Sequence, residues 1–195
     1  IAVTDHSDGP WTNDPSESFD VSPGTQSWIV FDGVSVPFVI IDPDANGGRS
    51  LVCSKGGETW RPSYTFPEYF ELPVGAVGGS RIHLAGMASG WSDPSLFSGV
   101  AATLTIEFDN GQVQVIDMEN GENMDDWNHT WHSVASPQAV KVYTDYTYGR
   151  HIDSYTEDLV TSAAIDRIVI RDDATVHTGS ATKTSIALFS ITIEL

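Results

Sequence analysis

Apolar and polar residues alternate with a period of two along much of this chain, the repeat expected of strands with one buried face. Leu104, Ile106 and Phe108 fall on one side of such a run, and Thr103, Thr105 and Glu107 on the other. The last run behaves alike, with Ala187, Phe189, Ile191, Ile193 and Leu195 set against Ser190, Thr192 and Glu194. Short runs rich in β-branched and aromatic residues, nearly all bounded by turn residues, cover 27–31, 36–41, 50–54, 69–74, 81–86, 102–108, 112–118, 139–144, 165–171 and 185–195. Asp109-Asn110-Gly111 separates two of them and predicts a hairpin, because Asn-Gly readily takes the positive φ of tight turns. No stretch holds a 3.6-residue apolar period for three turns, although MENGENMDDW (118–127) has room for one short helix. The pattern predicts an all-β chain: a single domain over residues 1–195, an antiparallel β-sandwich of about ten strands with jelly roll as the leading topology.

Charge narrows the partners. A formal net charge of −18 leaves no basic surface for nucleic acid or an anionic membrane. With acids spread along the whole chain, the surface is of the self-repelling kind that salt-tolerant or marine proteins carry. It also disfavours a strongly anionic ligand, although the six arginines leave room for a local clamp. No apolar run approaches the ~20 residues that span a bilayer. The opening IAVTDHSDGPW lacks a basic start and an apolar stretch, as expected of a mature form or an excised module. Cys53 is the only cysteine, so no intrachain disulfide forms, and its place in SLVCS reads as a small buried hydrophobe.

Large aromatics concentrate in the longest gaps between strand-like runs: Trp91 in SGWSDP, Trp127 and Trp131 in MDDWNHTW, and Tyr148 and Tyr155 in TYGRHIDSYTED. Rings in loops are costly to leave wet unless something stacks on them, and in a secreted acidic β-protein that something is a sugar ring. If 102–108 and 112–118 form a hairpin, gaps 87–101 and 119–137 share the opposite end of the sandwich. Continued alternation brings gap 172–184 there and sends 145–164 to the hairpin end. Trp91, Trp127 and Trp131 then form a stacking platform, with Asp93, Asp125, Asp126, Asn128, His129 and His132 as polar partners. The competing reading is that one or two of these rings plug the end of the core. Trp60, Tyr64 and Tyr69, in GETWRPSYTFPEY, form a second aromatic group that is either another site or a cover for a sheet, and Tyr148, Arg150 and His151 form a third.

Asp42-Pro-Asp44-Ala-Asn46-Gly47 matches the opening of a calcium-binding loop, but Cys53 stands where the bidentate Glu belongs, so an acid-rich turn competes with it. Glu194 is a further candidate ligand on the last strand. No cofactor is required; one structural calcium ion is the only candidate. His129 and His132 have a His-x-x-His spacing without a third soft ligand, which argues against zinc. For catalysis, Glu119, Glu122, Asp125 and Asp126 could supply a glycosidase carboxylate pair, and Tyr148, Arg150, His151 and Tyr155 the proton-moving set of a polysaccharide lyase. A chain this acidic produces such clusters by chance, and nucleophilic triads and phosphate loops are absent.

Three stretches carry a family resemblance: DGVSVPFVIIDPDANGGRSLV (32–52), ELPVGAVGGSRIHLAGMASGW (71–91) and VAATLTIEFDNGQVQVIDMENGENMDDW (100–127). In order and spacing they resemble the galactose-binding-domain-like jelly rolls appended to bacterial polysaccharide-degrading enzymes. The resemblance implies a β-sandwich, a secreted setting and a non-catalytic binding role beside a covalently linked catalytic domain. It also places Trp127 at a recurrent fold position. The resulting expectation is polysaccharide or oligosaccharide binding without cleavage. The alternatives are a small jelly-roll lyase or glycoside hydrolase, and an adhesion or structural domain with no glycan site.

Overall fold

The computed structural model describes residues 3–4, 26–31, 34–39, 51–53, 69–89, 99–124, 138–145, 150–172 and 185–195. These residues form β1 (Val3–Thr4), β2 (Gln26–Phe31), β3 (Val34–Val39), β4 (Leu51–Cys53), β5 (Tyr69–Val77), β6 (Arg81–Ser89), β7 (Gly99–Phe108), β8 (Val113–Asn120), β9 (Ala139–Asp145), β10 (Arg150–Asp158), β11 (Ile165–Asp172) and β12 (Ser185–Glu194). All pairings are antiparallel, and no helix occurs among the described residues. One sheet runs β1-β4-β12-β6-β10-β9, a second β5-β11-β7-β8, and β2 pairs with β3 alone. The two larger sheets share one core. Ile82, Leu84, Ile186 and Leu188 from the six-stranded sheet pack with Phe70, Leu104, Ile106, Met118, Ile168 and Ile170 from the four-stranded one, the layering of a β-sandwich.

All ten strand-like runs lie within or overlap a strand. The β7–β8 turn forms as the Asn-Gly signal predicts. Gly111 N–H donates to Phe108 O (2.9 Å) and Phe108 N–H to Gln112 O (3.0 Å), with Gly111 at φ 83°. Three expectations are corrected. Residues 150–158, expected in a loop, form β10, whose polar sequence hides it: His151, Asp153 and Ser154 are buried there, and the first two are partnered, where apolar residues would mark a strand. The single register drawn for the last strand also fails. A bulge between Leu188 and Ser190 shifts the parity, so Ile186 and Leu188 join Ile191 and Ile193 on the core side while Ala187 is buried on the other. Over 118–124 the end of β8 and a turn take the place of the short helix. Gly121 adopts φ 83° and the Asn123 side chain takes backbone partners that a helix would need.

The outer faces of the two sheets differ. On the four-stranded sheet Tyr69, Val113 and Val115 are open to solvent. On β6 every residue from Ile82 to Ala88 is buried, so both its faces are covered; β3 lies against β12 and β2 against β9, on either side of β6 and β10. His83 is buried on the covered outer face. Its Nδ1 lies 2.8 Å from Thr156 Oγ1 and its Nε2 3.2 Å from Glu194 Oε2. A carboxylate can only accept, so Nε2 donates and the threonine hydroxyl donates to Nδ1. Burial lowers the His83 pKa, and the Glu194 carboxylate only partly restores it.

Candidate functional site

At one open side of the sandwich, edge strand β8 faces β10. Near the β7–β8 turn the gap is closed by Gln114, whose Nε2 donates to Asp158 O (2.9 Å) while Val160 N–H donates to its Oε1 (3.0 Å). Further along, the turn after β8 forms the other wall. Glu119 O accepts N–H groups from Glu122 (3.2 Å), Asn123 (3.2 Å) and Met124 (3.3 Å). Asn123 locks this turn from within: its Oδ1 accepts Glu119 N–H (2.7 Å) and its Nδ2 donates to Asp117 O (2.8 Å). Met124, fully buried, anchors the turn in the core.

Between these walls lies an open groove of about 320 Å³ lined by Val115, Ile116, Asp117, Glu119, Glu122, Asn123, Gln138, Tyr155 and Glu157. Its charged lining is wholly acidic. Tyr155 packs its ring in the core and directs its hydroxyl to Glu157, to which it donates a hydrogen bond. Burial, that hydrogen bond and the carboxylate charge raise the phenol pKa far above its usual value, with an Asn123 hydrogen bond opposing. The hydroxyl is therefore a fixed donor and not a base at neutral pH. Carboxylates that only accept, beside amides that do both, suit a ligand rich in hydroxyl groups.

The expected platform residues Trp91, Asp93, Asp125, Asp126, Trp127, Asn128, His129, Trp131 and His132 lie outside the described residues, as do Trp60, Tyr64, Tyr148, Asp42, Asp44 and Asn46. The strands that flank their segments are described. Gly99 pairs with Asn120, Ala102 with Asp172, Ser89 with Ser185, and Asp145 with Arg150, so these positions mark one end of the sandwich. At the other end Ser80, Asp109, Leu159, Ala164 and Glu194 are joined by backbone hydrogen bonds. Segments 90–98, 121–137 and 173–184 thus adjoin the same end, as the alternation predicts. The expectation for 145–164 is half corrected: the inserted strand β10 leaves 159–164 at the hairpin end but puts the strand ends flanking 146–149 at the opposite end. Segment 125–137 is flanked by Met124, buried in the core at the end of the turn that walls the groove, and by Gln138, a lining residue that donates its N–H to Glu122 O (3.2 Å).

Of the remaining candidates, Arg150 opens β10. His151 is fully buried, its Nε2 3.4 Å from Asp153 Oδ2. It shares a face of β10 with Tyr155, but only Tyr155 reaches the groove. Glu194 serves His83 and lies 3.9 Å from Arg81. Among the described residues no three His, Cys, Asp or Glu side chains group closely enough to hold a metal ion. Sequence reading found Glu119, Glu122 and Tyr155 but missed Asn123, Gln138 and Glu157 as groove residues and Gln114 as its strut. The Asn120-Gly121 pair is the one local signal that could have placed the turn. No protein-family model matches the chain, and no curated protein matches it.

Proposed function

We propose that this chain is a non-catalytic carbohydrate-binding module, a jelly roll of the galactose-binding-domain-like kind working as part of a secreted polysaccharide-degrading protein. One observation carries the reading: a groove lined by carboxylates and amides lies beside the turn from which the tryptophan-bearing segment 125–137 leaves the described fold and beside Gln138, where it rejoins. In this account Trp127 and Trp131 stack on sugar rings while Asp117, Glu119, Glu122 and Gln138 bind hydroxyls. The acidic lining selects uncharged chains, since a uronate or sulfate would meet like charge. Support for the jelly-roll path comes from the connections after β4, most of which cross from one large sheet to the other. Affinity gel electrophoresis in soluble xylan, galactomannan, galactan and mixed-linkage β-glucan, with polygalacturonate as the anionic control, tests the proposal. Retardation by an uncharged chain is expected, weakened about tenfold, or 1.4 kcal/mol, in Glu122→Gln or Trp127→Ala. Migration unaffected by every uncharged chain would refute it.

A glycoside hydrolase is the second reading, favoured by Glu119, Glu122 and Glu157 lining one groove. Assay of reducing ends on the same polysaccharides decides between the two. Release abolished by Glu157→Gln would establish hydrolysis in place of simple binding.

A further inference from the structure

We infer that the ligand surface continues beyond the groove, across the outer face of the four-stranded sheet, along the transverse row Asp117–Thr103–Arg171–Tyr69, which takes further units of the same uncharged glycan chain. The inference rests on the glycan reading of the groove. The row follows from strand register: Asp117 pairs with Thr103, Thr103 with Arg171, and Arg171 with Tyr69. Directly opposed residues of antiparallel strands project from the same face, so the four side chains stand in line, one each on β8, β7, β11 and β5. At roughly 4.8 Å between strands the row is about 14 Å long, long enough for an extended ligand rather than a single ring. Its first member, Asp117, also lines the groove, so the two surfaces are continuous.

The far end of the row is built like a stacking subsite. Tyr69 is 51 % exposed, so part of its ring is open on this face. The Arg171 guanidinium lies 5.3 Å from its ring centroid, so a cation–π contact holds the ring in place before any ligand arrives. A ring already fixed loses little freedom on binding. The other arginine on this face is used differently: Arg167 is bound by Glu107 at 2.8 and 3.1 Å. Between the ends, Thr103 Oγ1 lies 3.4 Å from Asp117 Oδ1, leaving a hydroxyl and a carboxylate side by side at the surface. A pyranose places C–H groups against the open part of the Tyr69 ring and hydroxyls against Arg171, Thr103 and Asp117.

The test is a length series. For the polysaccharide of the above panel that retards the protein most, Kd is measured by calorimetry for its di- to hexasaccharides and for the polymer, with wild type, Tyr69→Ala and Tyr69→Phe. The row predicts that wild-type affinity rises with chain length, that Tyr69→Ala loses about tenfold on the polymer yet keeps wild-type affinity for the disaccharide, and that Tyr69→Phe retains most polymer affinity. Equal polymer affinity in wild type and Tyr69→Ala would overturn the row while leaving the groove intact. Equal loss at all lengths would also overturn it, because the substitution would then act on the fold. No binding of any uncharged chain by wild type overturns both readings.

Discussion

Strands β7 and β10 are both long and internal to their sheets, and they meet opposite surroundings. β7 turns Leu104, Ile106 and Phe108 into the core and Thr103, Thr105 and Glu107 to the outer face. β10 is covered on both faces from His151 to Tyr155, and three of those five residues are His151, Asp153 and Ser154. A polar side chain on β7 exchanges with water and contributes little to stability. On β10 the same kind of group has left water behind and depends on protein partners, so its loss strands the partner. Polarity in a strand thus has two meanings, and burial decides between them.

The comparison is broken most directly at Asp153. Asp153→Ala leaves His151 fully buried beside the vacated site and is expected to cost about 3–5 kcal/mol, read from the urea midpoint. The double variant His151→Leu/Asp153→Leu is expected to cost less than Asp153→Ala alone, since the buried imidazole is then removed together with its carboxylate neighbour. A double variant at the sum of the singles would mean that volume matters there and polarity does not. On β7, Leu104→Ala is expected to cost about 2–5 kcal/mol through a cavity in the shared core.

His83 sharpens the contrast through pH. Its folded-state pKa lies below the usual 6.5 because burial disfavours the imidazolium. The unfolded chain therefore binds the proton more readily, and stability falls as pH drops below about 6.5, levelling off beneath the folded-state value. Urea midpoints measured from pH 8 downward should show this slope, and His83→Gln should flatten it; a slope of the opposite sign would contradict the assignment. The smallest effect is expected at Thr105→Ala, within about 0.5 kcal/mol, because that side chain sits on the washed face.

The same contrast explains what could be read from the chain. β7, β11 and β5 announce themselves because one face is wet and the other dry, which imposes alternation, whereas β8 is legible from its β-branched residues and the Asn-Gly turn before it, since Val113 and Val115 are exposed and Gln114 is buried. β6 remains legible as a nearly continuous apolar run, the mark of two buried faces. β10 offers neither signal, since His151, Asp153 and Ser154 take buried positions that apolar residues would otherwise mark, and the half-buried Thr156 meets its partner His83 only 73 positions away in sequence. The groove was half legible for the same reason. Glu119 and Glu122 stand out in a local acid cluster, whereas Glu157 reaches the groove through the pairing of β10 with β6 and Gln138 through its N–H bond to Glu122 O. The bulge in β12 had no visible signal, as Ser190 is an unremarkable residue between Phe189 and Ile191.

The central claim, that the groove beside the 125–137 segment is where a glycan binds, is tested most directly by amide chemical-shift mapping. The isotopically labelled protein is titrated with the hexasaccharide of the uncharged polysaccharide that retards it most. The account predicts the largest shifts at Asp117, Glu119, Glu122, Asn123 and Gln138, extending towards Thr103. Shifts centred instead on Gly78–Ser80 and Leu159–Ala164, at the opposite end of the sandwich, would contradict it.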